Sequence, residues 1–124
     1  MKFYTKLLYP KSTISHLKRE GAVAFTIDDG FCGIDNPTGC MLKDVRRLFK
    51  SFNAQATFFI TGSHCNHTRQ DDIDALLADG HELANHSMMD WPYTSYSEAE
   101  FALDIDTTEN ILSQYRKTHP LWYR

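Results

Sequence analysis

Two adjacent carboxylates, Asp28 and Asp29, close the short apolar run Ala22-Val-Ala-Phe-Thr-Ile27, and Gly30 follows them. Carboxylates at the end of an apolar segment are costly unless a cation or a proton compensates them. Much later in the chain, His86 and Asp90 stand four residues apart in His86-Ser-Met-Met-Asp90. One Asp, one His and a further carboxylate make an oxygen- and nitrogen-rich donor set for a divalent ion. The remaining Asp would stand beside that ion as a base and take a proton from water. On spacing alone the plain reading stays open beside the catalytic one, because Asp-Asp-Gly is often only a turn and a His with an Asp four residues on is common on surfaces.

These groups can meet only if the chain between them brings two strand ends together. Residues 22–27 read as a strand buried on both faces, with Gly30 letting the chain turn away. A Gly-, Asn- and Pro-containing loop runs over 28–39. Residues 41–52 then read as a helix, with Leu42, Val45, Leu48, Phe49 and Phe52 inward, Lys43, Asp44, Arg46, Arg47 and Lys50 outward, and Thr38 as a cap. Residues 56–60 are a second buried strand, followed by a polar loop carrying His64 and His67. Residues 71–79 are a short helix stopped by Gly80, and 81–84 a third, more polar strand. Ser97 and Glu100 form a capping box for a helix to about residue 116. Its inward face is Phe101, Ile105, Thr108, Leu112 and Tyr115; Pro120 then breaks the chain and a fourth strand begins at Leu121. Residues 12–20 could form one more short helix. Strand and helix alternate, so the fold class is α/β with parallel strands and helical crossovers. Three and a half such units make either a small open sheet or about half of a (β/α) barrel. Carboxyl ends of neighbouring parallel strands lie together, which places Asp28 and Asp29 near the segment from His86 to Asp90.

Composition narrows the function classes. With 124 residues, 42% hydrophobic and 23% charged, the chain is of ordinary globular make-up and sized for one domain. A net charge of −3 gives no reason to expect nucleic acid as a partner. Residues 1–20 carry Lys2, Lys6, Lys11, Lys18 and Arg19 against Glu20 alone and read as a basic lead-in to a domain over 21–124. No apolar run is long enough to span a membrane, and the first residues lack the sustained hydrophobic stretch of a signal peptide. Cytoplasmic and secreted locations both stay open, as does the oligomeric state. Cys32 and Cys40 could close a small loop and leave Cys65 free. Asn66-His-Thr68 and Asn85-His-Ser87 are N-glycosylation tripeptides of the kind that arise often by chance.

Four segments taken in order, Thr26-Ile-Asp-Asp-Gly30, Ala56-Thr-Phe-Phe-Ile60, Gly80-His-Glu-Leu-Ala-Asn-His-Ser87 and Trp122-Tyr-Arg124, resemble polysaccharide deacetylases. These are the family 4 carbohydrate esterases with a nodulation-protein-B homology domain, and they include chitin, chito-oligosaccharide and peptidoglycan deacetylases. The resemblance covers residues 21–124, about the N-terminal half of such a domain. It implies a distorted TIM-like (β/α) barrel, of which this chain would hold the first three and a half units. It implies metal-dependent removal of N-acetyl groups from amino-sugar polymers, with an N-acetylated glycan as substrate and a divalent cofactor, zinc first and cobalt or manganese as alternatives. Asp28 would be the catalytic base, with Arg124 positioning it. Asp29 and His86 would be metal ligands, and Ser87 would steady their loop.

Two features depart from the pattern. The family places a second His four residues after the first, where this chain has Asp90. Asp90 would then be the third ligand, an anionic one that reduces Lewis acidity and shifts preference toward harder ions. The family's general-acid His and its groove-lining Trp and Leu fall beyond Arg124, so the chain reads as part of an enzyme and is not expected to be active alone. The alternative is a non-catalytic carbohydrate-binding or truncated relative. A magnesium-dependent phosphoryl-transfer protein is a more distant rival, since that chemistry commonly wants Asp-x-Asp on the first strand. Among the remaining candidates, His81 reads as structural, and His64 and His67 as surface residues. Phe49, Phe58, Phe59 and Phe101 read as core, and Trp91 and Tyr93 as groove or packing residues.

Overall fold

The computed structural model describes residues 20–33, 40–116 and 122–124. The helix expected over 12–20, the Thr38 cap and the break at Pro120 lie largely or wholly outside them. Three parallel strands, β1 (Phe25–Gly30), β2 (Ala56–Ile60) and β3 (Glu82–Asn85), form a sheet in the order β1-β2-β3. Helix α1 (Leu42–Ser51) connects the first pair, and α2 (Gln70–Ala78) the second. A 3-10 helix, Gly62–His67, takes the place of the expected polar loop, and α3 (Glu98–Ser113) follows β3. The capping box forms as expected: Ser97 Oγ accepts from the Glu100 amide, and the Glu100 carboxylate accepts from the Ser97 amide. The fourth strand is present as a single parallel bridge between Tyr123 and Asn85.

Side chains alternate across a strand, so the sheet has two distinct faces. Ile27, Ala56, Phe58, Ile60 and Leu83 meet Leu42, Ile73, Leu76 and Leu112 in one hydrophobic core. The residues between them, Thr26, Asp28, Thr57, Phe59, Glu82 and Ala84, belong to the opposite face. That face is more polar, and Thr57 there donates to Glu82 at 2.6 Å. Only part of the expected stripe of α1 reaches the core. Leu42 is buried, and Val45 and Phe49 pack against it, but Leu48 and Phe52 are exposed. Arg46 and Lys50 on the same helix reach Asp79 beyond α2 and tie the two helices together.

The expectation for the first strand needs correcting. Regular pairing starts at Phe25, and the strand is largely exposed, with Val23 at 78% and Phe25 at 49%. Its neighbour in the described sheet is β2 alone, so it is an edge strand there, without the two-sided cover that a continuous apolar run suggested. Asp28 and Asp29 lie within the strand rather than after it. Ile27 pairs with Phe58 and Gly30 with Ile60, so β1 spends one residue more than β2 over that interval. Asp28 and Asp29 together therefore oppose Phe59, which is a β-bulge, and Asp29 adopts a φ of +52°. Gly30 does not make the turn, which falls to Phe31 at φ +73°. A Cβ on Gly30 would lie 2.5 Å from Ile60 Cδ1, so glycine serves close packing at the bulge.

Beyond the turn, Cys32 and Cys40 form a disulfide, and Cys65 is free and buried. Burial pushes the Cys65 thiol up to about 11, which keeps it protonated and unreactive at neutral pH.

His81 is structural. Its Nδ1 accepts from the Ala56 amide at 3.1 Å, and its ring meets Phe49 and Phe58 edge to face. Burial lowers its pKa from the ordinary 6.5, an effect that nearby Asp79 partly opposes. Its folded-state pKa is depressed, so the stability it contributes is present above pH 6.5 and is lost as pH falls through the folded value. The thermal midpoint is expected to drop on acidification below about pH 6.5. His81→Gln, which keeps an acceptor for Ala56, should flatten that dependence. A pH series of melts on both proteins checks this, and parallel curves would refute it.

Candidate active site

The bulge decides what the two carboxylates can reach. In a regular strand neighbouring side chains point to opposite faces, so Asp28 and Asp29 could not serve one site. With the extra residue and the left-handed backbone at Asp29, both do. Asp29 Oδ1 lies 3.5 Å from His86 Nε2. Asp28 takes Arg124 Nη1 at 3.0 Å on Oδ1 and 3.3 Å on Oδ2. The same nitrogen donates to Thr26 Oγ1 at 3.0 Å.

His86 follows β3 directly, and its amide donates to the Ile60 carbonyl at 3.0 Å, extending the β2–β3 ladder by one bond. Its Nδ1 is 2.6 Å from the Arg124 carbonyl oxygen. A carbonyl only accepts, so Nδ1 carries the proton, and Nε2 is left to face Asp29. A lone pair opposite a carboxylate is satisfied by a proton or by a cation placed between them. The separation suits a cation. Two donor atoms about 2.1 Å from a tetrahedral zinc ion stand about 3.4 Å apart. The Nδ1–H bond to a backbone carbonyl is the usual outer support of a metal-bound histidine. Asp29 and His86 thus fit two positions around a divalent ion.

Asp90 is not part of this pair. It is exposed, and among the described residues no group of three or more His, Cys, Asp or Glu side chains is placed to hold a metal. His64 and His67 do not join either. His67 is exposed, and His64 Nδ1 lies 3.4 Å from the Gly30 carbonyl, behind the bulge. Phe59, 8% exposed, is the floor of the site. The Arg124 guanidinium carbon lies 5.3 Å above its ring centroid, and the His86 ring meets it edge to face at 6.2 Å.

Two residues that hold the site, Asn85 and Asp104, were not singled out for that role from sequence. Asn85 is 2% exposed and works with every polar group it has. Its side-chain oxygen accepts from the Ser87 amide at 2.9 Å, and its side-chain nitrogen donates to the Ile105 carbonyl at 2.9 Å. Its amide donates to Trp122 O, and its carbonyl accepts from the Arg124 amide, which docks residues 122–124 beside His86. This burial removes Asn85-His-Ser87 from consideration as a glycan acceptor in the folded protein. Ser87, at φ +68°, turns the chain after His86, and its Oγ is 3.2 Å from the Tyr123 hydroxyl. Asp104 on α3 accepts from the Met88 amide at 2.8 Å and lies 3.0 Å from the Tyr93 hydroxyl, which also accepts from the Met89 amide. Burial raises the Tyr93 pKa, so the phenol stays protonated and available as a donor. Tyr93 is therefore a packing and anchoring residue, while Trp91 stays exposed. A carboxylate three residues beyond the Phe101 position, inside an otherwise apolar helix face, was the one signal that could have flagged Asp104.

Comparison with known proteins gives the family of the chain. The family model described as polysaccharide deacetylase matches residues 16–124. The peptidoglycan-N-acetylmuramic acid deacetylase PdaC of Bacillus subtilis is 29% identical over 119 residues, covering 88% of this chain and 24% of the relative. Among solved structures, the Bc1960 peptidoglycan N-acetylglucosamine deacetylase matches with a TM-score of 0.69 and 25% identity, over 82% of this chain and 44% of that one. A family 4 acetyl xylan esterase from Clostridium thermocellum, solved with a cobalt ion, matches with a TM-score of 0.64 and 27% identity, over 82% and 46%. The chain thus spans about a quarter of its curated relative and under half of these structures. Its small parallel sheet is an α/β arrangement resembling theirs, and the chain belongs to the polysaccharide deacetylase family.

Proposed function

We propose that this chain is the N-terminal part of a metal-dependent hydrolase that removes N-acetyl groups from amino-sugar polymers of the chitin, chito-oligosaccharide or peptidoglycan type. The bond cleaved is a carbon–nitrogen bond of a non-peptide amide. Residues 21–124 would form the first part of a TIM-like (β/α) barrel, and 1–20 its lead-in. The observation that carries this reading is the single arrangement in which Asp29 faces His86 at 3.5 Å while Arg124 holds both Asp28 and the far side of His86.

Asp29 and His86 would hold a divalent ion, zinc with cobalt or manganese as substitutes, and Asp90 would have to move in as a third donor. Such an ion polarises an amide carbonyl and makes water a stronger nucleophile at neutral pH. Asp28 takes the proton of the attacking water. Arg124 grips Asp28 through both carboxylate oxygens and keeps it in one orientation, a charge-assisted contact that also fixes direction. The Arg124 carbonyl keeps His86 Nδ1 protonated and its Nε2 directed at Asp29. The test is acetate release from chitin oligomers and from peptidoglycan by the protein carrying the whole domain, with saturating zinc, cobalt or manganese. No release with any of them would sink the proposal.

A second reading is favoured by one observation, the exposure of Asp90 outside the Asp29–His86 pair. It makes the chain part of a non-catalytic, carbohydrate-binding relative. Calorimetric zinc titration of two variants separates the readings. On the first, Asp90→Ala is expected to weaken zinc binding by about tenfold or more, as loss of a ligand should. On the second, Asp90→Ala changes nothing, and Asp90→His raises affinity by supplying the missing imidazole.

A further inference from the structure

Phe59 occupies a singular place in the sheet. On one side its register partner is Ala84, a small residue that leaves room above the strand. On the other side it faces the bulge, so Asp28 and Asp29 both stand across from this one residue. Its ring is buried to 8% exposure, carries the Arg124 guanidinium at 5.3 Å and meets the His86 imidazole at 6.2 Å with an interplanar angle of 65°. The cation that grips Asp28 and the imidazole that faces Asp29 therefore rest on the same ring.

We propose that Phe59 is a positioning residue, setting the Asp28-holding cation and the metal-facing imidazole against one aromatic surface. The inference rests on the functional reading above for the meaning of the site, but its contacts are independent of any bound ion. Two physical effects are involved. A guanidinium within about 6 Å of a ring centroid is drawn to the negative face of the ring. An edge-to-face ring pair has a preferred tilt that an aliphatic side chain of similar volume cannot supply. A purely space-filling role would need neither, and Leu would serve as well as Phe.

The experiment uses the full chain and does not depend on catalysis. Cobalt affinity is measured by calorimetry for the wild type, Phe59→Leu and Phe59→Tyr, with thermal melts alongside, and the Arg124 guanidinium is followed by nitrogen-15 NMR in metal-free protein. Phe59→Leu is expected to bind cobalt about two- to tenfold more weakly, the range that an edge-to-face pair accounts for, while Phe59→Tyr stays close to wild type. In the wild type the two guanidinium Nη signals should be resolved by restricted rotation; in the Leu variant they should collapse toward the averaged signal of a free arginine. Equal cobalt affinity and unchanged Arg124 signals in a folded Phe59→Leu protein would overturn the proposal. If the Leu variant does not fold, trifluorophenylalanine at position 59 keeps the shape and weakens the ring quadrupole. Arg124 signals that move toward the free state then support the proposal, and unmoved signals overturn it. If the wild type binds no cobalt, the metal reading of the site fails, and the Arg124 signals still decide the role of Phe59.

Discussion

Replacing His86 with alanine is expected to weaken zinc or cobalt binding by more than about 100-fold, beyond the 10- to 100-fold that loss of an outer-shell partner brings. The side chain stands past the end of β3, and its polar contacts are Asp29 on one nitrogen and the Arg124 carbonyl on the other. It is not among the core residues, so the fold should survive the substitution, with melting displaced by no more than a few degrees. Asp29→Asn should act in the same direction while keeping the shape of the bulge, because it removes only the charge that faces the imidazole. Titration calorimetry on the three proteins, with circular dichroism as the folding control, reads both effects. A His86→Ala protein that is folded and binds as tightly as wild type would remove His86 from the site.

The second large effect is kinetic. Asp28→Asn, in the protein carrying the whole domain, is expected to slow acetate release by about 10²- to 10⁴-fold, the range a positioned general base contributes. Metal affinity should stay within about threefold, since Asp28 is engaged by Arg124 rather than by the Asp29–His86 pair. Asparagine can still accept from Arg124 but cannot take a proton from water. The two variants therefore separate along different axes: His86→Ala lowers binding, and Asp28→Asn lowers turnover at full occupancy. If Asp28→Asn left turnover intact, the base would have to be sought elsewhere on the polar face of the sheet.

Much of this architecture was legible in the sequence because it is written in local patterns. Ala56-Thr-Phe-Phe-Ile60 is bounded as a strand by its own composition, and α3 by a capping box four residues long. The Cys32–Cys40 pairing was one of the readings that close spacing allowed. What failed depended on neighbours far away in the chain. The apolar run before Asp28 looks doubly buried, yet it sits at the edge of the described sheet. Leu48 and Phe52 match helical periodicity but lie beyond the arc of α1 that the core covers. At the site, the pairing of Asp29 with His86 was foreseeable from strand ends meeting. The bulge that turns two consecutive carboxylates to one purpose was not, because an extra residue in one strand is defined only against the partner it pairs with. Asn85 and Asp104 were missed for the same reason, since their partners lie around residues 105, 122 and 124 and around Met88 and Tyr93.

Arg124 meets the site through two chemically different halves. Its guanidinium holds Asp28, and its main-chain oxygen holds His86. A substitution scan sees only the first half, because every amino acid that could be placed at 124 brings the same carbonyl. Arg124→Ala would therefore report on proton transfer and leave ion binding nearly silent, which invites the conclusion that the residue has nothing to do with the ion. The hidden half becomes visible only to changes that move the chain itself, such as a proline at Trp122 or Tyr123.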